Sequence, residues 1–160
     1  MSCETGRLKR RQDARRALTI GRMSAAFATV GLIGKYNSPD IAEPLLRVAK
    51  YLDARGVRVL LDRLTAGHVG QTRYPVLALD EVGRQADLAV VIGGDGTMLN
   101  IARTFAPFDT ALVGVNLGRL GFLTDIPLDA MCETIGAILD GSYTVQERML
   151  LSARVYTEGA

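Results

Sequence analysis

Leu88-Ala89-Val90-Val91-Ile92 is an apolar run with no polar interruption, and it passes directly into Gly93-Gly94-Asp95-Gly96-Thr97. A strand-length segment that is apolar at every position has no solvent face. It therefore belongs at the centre of a parallel sheet covered on both sides. Directly after the glycines the period changes, since Met98, Ile101, Ala102 and Phe105 recur at helical spacing and Pro107 ends the pattern. A buried strand, a glycine-rich turn and a helix in succession restrict the chain to folds in which parallel strands are joined by crossover helices.

The same alternation extends in both directions. Ala28 to Gly34 reads as a buried strand. Ser38-Pro39-Asp40 supplies an N-cap, a proline at the first helical position and an acid in the first turn. Ile41, Leu45, Val48 and Leu52 then mark a helical face, Gly56 is placed to end that helix in a left-handed conformation, and Val57 to Leu61 is a second strand. Residues 62–75 show no clear period and hold Gly67, Gly70 and Pro75, which predicts a loop, with a short helix over Leu79 to Gln85. Ala111 to Val115 is another buried strand, and Leu128, Met131, Ile135 and Ile138 mark a helix stopped at Gly141. The fold class expected is α/β, a Rossmann-like open parallel sheet with helices on both faces.

Beyond Gly141 the period becomes that of a strand with two unlike faces, Met149, Leu151, Ala153 and Val155 alternating with Leu150, Ser152, Arg154 and Tyr156. One such strand cannot make a domain. The organisation expected is a basic, disordered extension over residues 1–27, an α/β nucleotide-binding domain over 28–141, and in 142–160 the first strand of a missing β-rich domain.

Composition excludes several classes. With 48% hydrophobic and 22% charged residues in 160, and Leu, Ile and Val plentiful, the chain can bury one ordinary core. No apolar run is as long as a membrane-spanning helix requires. The net charge of +2 conceals an asymmetry: residues 1–22 carry seven basic side chains against Glu4 and Asp13, leaving 12 basic and 15 acidic elsewhere. The mildly acidic remainder argues against nucleic acid as a partner. The arginine-rich opening ahead of an apolar stretch superficially resembles a secretory signal, but Lys35-Tyr36-Asn37 stands where a small-residue cleavage site would lie. Met23 is an alternative start. Cys3 and Cys132 are far apart and His68 has no Cys or His neighbour, so neither a disulfide framework nor a protein-borne metal site is expected, and a reducing, cytoplasmic setting fits best.

The chemistry concentrates after the central strand. Glycines at 93, 94 and 96 let the backbone take positive φ and let a ligand approach closely, and the N–H groups opening the next helix suit a phosphate. The dinucleotide fingerprint G-x-G-x-x-G is absent because Leu99 stands where its third glycine would, and no G-x-x-x-x-G-K-[ST] occurs. Asp95 repels phosphate, so its place in such a loop makes sense if it meets a hydroxyl and accepts a proton during phosphoryl transfer; the alternative is an Asp that caps the helix. The second constellation, Asn116-Leu117-Gly118-Arg119-Leu120-Gly121-Phe122-Leu123-Thr124-Asp125, follows the next buried strand and should lie beside the first loop. Phe122 either packs on a nucleotide base or belongs to the core.

G-G-D-G-T followed some twenty residues later by N-x-G-x-L-G-F-L-T-D resembles the NAD kinase family in its bacterial form, over about Val30 to Val155. The first loop alone also resembles diacylglycerol and sphingosine kinases, and a non-catalytic nucleotide-binding module is a further alternative. The resemblance implies ATP-dependent phosphorylation of the adenosine ribose 2′-hydroxyl of NAD, giving NADP. It implies Asp95 as catalytic residue and Gly93, Gly94, Asp95, Gly96, Thr97, Leu99, Asn116 and Phe122 as contacts for the nucleotides. It further implies a divalent ion, normally magnesium, accompanying the nucleotide phosphates, and homo-oligomers of the full-length enzyme. The family's Asn-Glu or Asn-Asp pair and its T-P-T-G-S-T-A-Y segment do not occur in the 160 residues. Little or no kinase activity is expected of this chain alone.

Overall fold

The computed structural model describes residues 27–108, 110–119 and 121–151. The expected extension over residues 1–27 lies outside them except for Phe27, which is buried. Six strands form one sheet: β1 (Thr29–Gly34), β2 (Arg58–Asp62), β3 (Val76–Leu77), β4 (Leu88–Gly93), β5 (Ala111–Asn116) and β6 (Ile126–Pro127). Their spatial order is β3-β2-β1-β4-β5-β6, and every neighbouring pair is parallel. All six residues of β4 are buried, as the uninterrupted apolar run requires.

Among the described residues five α-helices cover the two faces: α1 (Ala42–Ala54), α2 (Arg63–Val69), α3 (Leu79–Gln85), α4 (Asp95–Phe105) and α5 (Met131–Leu139). Alternation along each strand divides the core in two. Val30, Leu32, Val90 and Ile92 pack with Leu45, Val48 and Leu52 of α1 and with Met131, Ile135 and Leu139 of α5. On the other face, Ile33, Ala89 and Val91 meet Val82 of α3 and Ile101 and Phe105 of α4. Each fully buried Val, Leu, Ile, Phe or Met side chain contributes about 1.5–3 kcal/mol relative to exposure.

The helix ends follow the local chemistry. Pro39 opens a short 3₁₀ turn, Pro39–Ile41, that leads into α1, while Gly56 and Gly141 take positive φ (74° and 88°) after α1 and α5. The expected loop over 62–75 is corrected in part. Residues 63–69 form α2, because Asp62 accepts hydrogen bonds from the Thr65 N–H at 3.1 Å and the Thr65 hydroxyl at 2.9 Å. β3 and β6 were not expected from the sequence either, each being only two residues at a sheet edge.

Residues 142–151 carry no strand. The alternating strand read over Met149 to Val155 is thus not formed at 149–151, where among the described residues no neighbouring strand offers a ladder, and its remainder lies outside the described residues.

Candidate active site

The order of strands reverses between β1 and β4, and in open parallel sheets ligands bind beyond the carboxyl ends of the strands at that switch. Register aligns the two glycine-bearing loops there. Gly34 pairs with Ile92 and Gly93 with Asn116, while the Lys35 and Leu117 N–H groups donate to the carbonyls of Ile92 and Gly93, each at 2.9 Å. The segments after β1, β4 and β5 therefore leave the sheet side by side. Between them lies a cleft of about 350 Å³ lined in part by Lys35, Ser38, Gly94, Gly118 and Arg119. Lys35 and Arg119 bring positive charge, Asp40 is the acidic lining residue, and a cleft of this size suits a small ligand.

The glycine-rich loop does not use the positive φ that its glycines allow. Positive φ occurs at Gly56, Gly70 and Gly141 but not at Gly93, Gly94 or Gly96; Gly94 is extended, with φ −128° and ψ −177°. These glycines serve space rather than a left-handed turn. A Cβ at Gly93 would lie 2.8 Å from the Thr97 hydroxyl, so Thr97 packs directly over the end of β4. Beside Gly94, Gly96 and Gly118 there is open space, which a ligand can approach closely.

Asp95 is the first residue of α4, and Gly94 is the N-cap. Its carboxylate does not cap its own helix. It reaches the second loop instead: Oδ2 accepts from the Phe122 N–H at 2.8 Å, and Oδ1 accepts from the Leu123 N–H at 2.9 Å and from the Thr124 N–H and hydroxyl, both at 3.1 Å. Hydrogen bonds from the Leu123 and Phe122 N–H groups are the largest causes that hold its carboxyl below the usual Asp value, against a smaller opposing effect of burial. The group is thus kept as a carboxylate, with acceptor capacity remaining on Oδ2.

Two further glycines make this contact sterically feasible. A Cβ at Gly121 would fall on the Asp95 carboxylate, and one at Gly114 would lie 2.6 Å from the Leu123 carbonyl oxygen. Asn116, expected among the ligand contacts, is 5% exposed and uses its side chain within the loop. Its Nδ2 donates to the Arg119 carbonyl at 2.6 Å and the Thr124 hydroxyl at 3.0 Å, and its Oδ1 accepts from the Gly118 N–H at 2.6 Å. It shapes the loop. Phe122 is 95% exposed and Leu99 45%, so Phe122 is a surface residue, not part of the core.

The sequence reading brought Gly93, Gly94, Asp95, Asn116 and Phe122 to one edge, and the structure does the same. It missed Lys35, Ser38, Asp40 and Arg119 as cleft residues; the available signal was a lysine immediately after a buried strand, on the edge where such sheets bind ligands. Among the described residues no group of three or more His, Cys, Asp or Glu side chains converges on a metal position, and no helix is long and apolar enough to cross a membrane.

Sheet order, a glycine-rich turn at the switch point and a cationic cleft beside it define a domain of the doubly wound α/β class. Comparison with known proteins makes this specific. The family model for the ATP-NAD kinase N-terminal domain matches residues 30–143, and the chain belongs to that family. It is similar to proteins named NAD kinase from Nitrosomonas eutropha, 57% identical over 136 residues, and from Nitrosospira multiformis, 55% identical over 133. Those alignments cover 85% and 83% of this chain and 46% and 45% of the relatives, so the chain spans about half their length. Among solved structures, yeast NADH kinase complexed with NADH matches with a TM-score of 0.63 at 16% identity, covering 77% of this chain and 43% of that one, a likeness of fold.

Proposed function

We propose that this chain is the nucleotide-binding half of an enzyme that transfers a phosphoryl group from ATP to the adenosine ribose 2′-hydroxyl of NAD. The observation that carries the reading is Asp95: an ionised carboxylate in a glycine-rich turn at the switch point, with spare acceptor capacity on Oδ2. A carboxylate beside phosphates suits a hydroxyl, whose proton it accepts as the oxygen attacks the γ-phosphorus of ATP and the bond to ADP breaks.

The surroundings support a division of labour. Gly94, Gly96 and Gly118 leave room for phosphates, and Lys35 and Arg119 offset their charge. Phe122 and Leu99 present exposed apolar surface on which an adenine can rest. The metal suggested by the family resemblance fits only as a companion of the nucleotide, carried on its phosphate oxygens, because no set of three protein ligands converges among the described residues. When bound it would neutralise phosphate charge.

Residues 142–160 are proposed as the entry to a further, β-rich domain, a reading supported by the exposure of Val145, Met149 and Leu151 (73%, 87% and 90%). The domain is proposed to work in a reducing, cytoplasmic setting and, in a full-length enzyme, as part of a homo-oligomer.

The test is an amide-resolved NMR titration of the 160-residue chain with NAD, with ATP and with a diacylglycerol as control. Responses to NAD and ATP at Gly93 to Leu99 and at Phe122 are expected. A response to the lipid alone, or none to either nucleotide at this edge, would overturn the reading.

A further inference from the structure

Among the described residues four hydrogen bonds reach Asp95, and they are divided unevenly: Oδ1 accepts three and Oδ2 one. Part of this asymmetry is imposed from beneath. The Asn116 amide has one possible orientation, since its Oδ1 accepts from the Gly118 backbone N–H, which can only donate. Its Nδ2 therefore faces Thr124 and donates to that hydroxyl at 3.0 Å. With one lone pair engaged, the Thr124 hydroxyl turns its single proton towards Asp95 Oδ1, 3.1 Å away. Thr124 is fully buried, so no solvent competes for that proton.

We propose that Thr124 is a positioning residue: held by Asn116, its hydroxyl saturates Asp95 Oδ1 and so leaves Oδ2 as the oxygen presented to the substrate hydroxyl. The inference rests on the role given to Asp95 under the proposed function. It predicts that the hydroxyl of Thr124 matters to Asp95, whereas its methyl, which packs towards Gly114, matters only to packing.

Substitutions separate the two, because Thr124→Val keeps the shape without the hydroxyl and Thr124→Ser keeps the hydroxyl without the methyl. The readout is the carboxyl titration of Asp95, followed by carbon-13 NMR in the 160-residue chain. In the unsubstituted chain its low value arises from hydrogen bonds, with no charged side chain among its causes. Thr124→Val should raise the midpoint, and Thr124→Ser should leave it where it is. A Val variant that titrates like the unsubstituted chain, or a Ser variant that shifts as far as the Val one, would overturn the proposal. If Thr124→Val fails to fold, Thr124→Ala against Thr124→Ser isolates the hydroxyl in the same way. Adding NAD to the unsubstituted chain judges the underlying reading separately. No response at Phe122 would sink the substrate assignment whatever the variants do, and the titrations decide the role of Thr124 whatever NAD does.

Discussion

Asp95 and Gly121 are a matched pair: the carboxylate occupies the space where any other residue at 121 would place its Cβ. Gly121→Ala should therefore expel the carboxylate, break its bonds to residues 122–124 and lower stability by roughly 1–3 kcal/mol, the usual range for overpacking. Chemical denaturation measures the loss, and faster hydrogen exchange at Phe122, Leu123 and Thr124 locates it. The Asp95 carboxyl also makes the loop sensitive to acid. Its value is lowered in the folded chain, so its contribution to stability is present above the unfolded Asp value and is lost as pH falls through the folded one. Exchange protection of the 122–124 amides is expected to fall with acidification, and Asp95→Asn should remove that dependence. Retention of the dependence in the variant would place its origin elsewhere.

At the scale of elements, legibility followed length and burial. β4 was readable because its apolar run leaves no face for water, and α1 because Leu45, Val48 and Leu52 repeat at helical spacing and are all buried. α2 was hidden, since a seven-residue helix that buries only Thr65 and Ala66 has no apolar stripe to detect. Its signal was the cap, an Asp three residues before a Thr. Asp62→Ala should cost about 0.5–2 kcal/mol, the usual range for a lost N-cap, measured by denaturation. It should also lower the titration of Tyr36, which is pushed up to about 12 first by burial and then by the charge of Asp62. The candidate site was legible at Gly93 to Thr97 and in the loop from Asn116, where motifs are contiguous. It was not legible where register alone assembles it, as at Lys35, which only the pairing of β1 with β4 brings beside Gly93. Nor could sequence show that Asn116 turns inward.

At the scale of the whole molecule, the sheet gathers the carboxyl ends of β1, β4 and β5 into one edge. The chain spans about half the length of the relatives it matches, and the two loops at that edge lie within the segment that the family model matches. If these residues make a phosphotransferase site, they should work within a relative's framework. The most direct test is ATP-dependent NADP formation by a chimera in which residues 30–143 replace the matching segment of the Nitrosomonas eutropha NAD kinase. Turnover close to that of the parent enzyme is predicted, with Asp95→Asn lowering kcat ~10²–10⁴-fold, the usual contribution of a general base. A folded chimera without activity, or one as active with Asn at 95 as with Asp, would contradict the account.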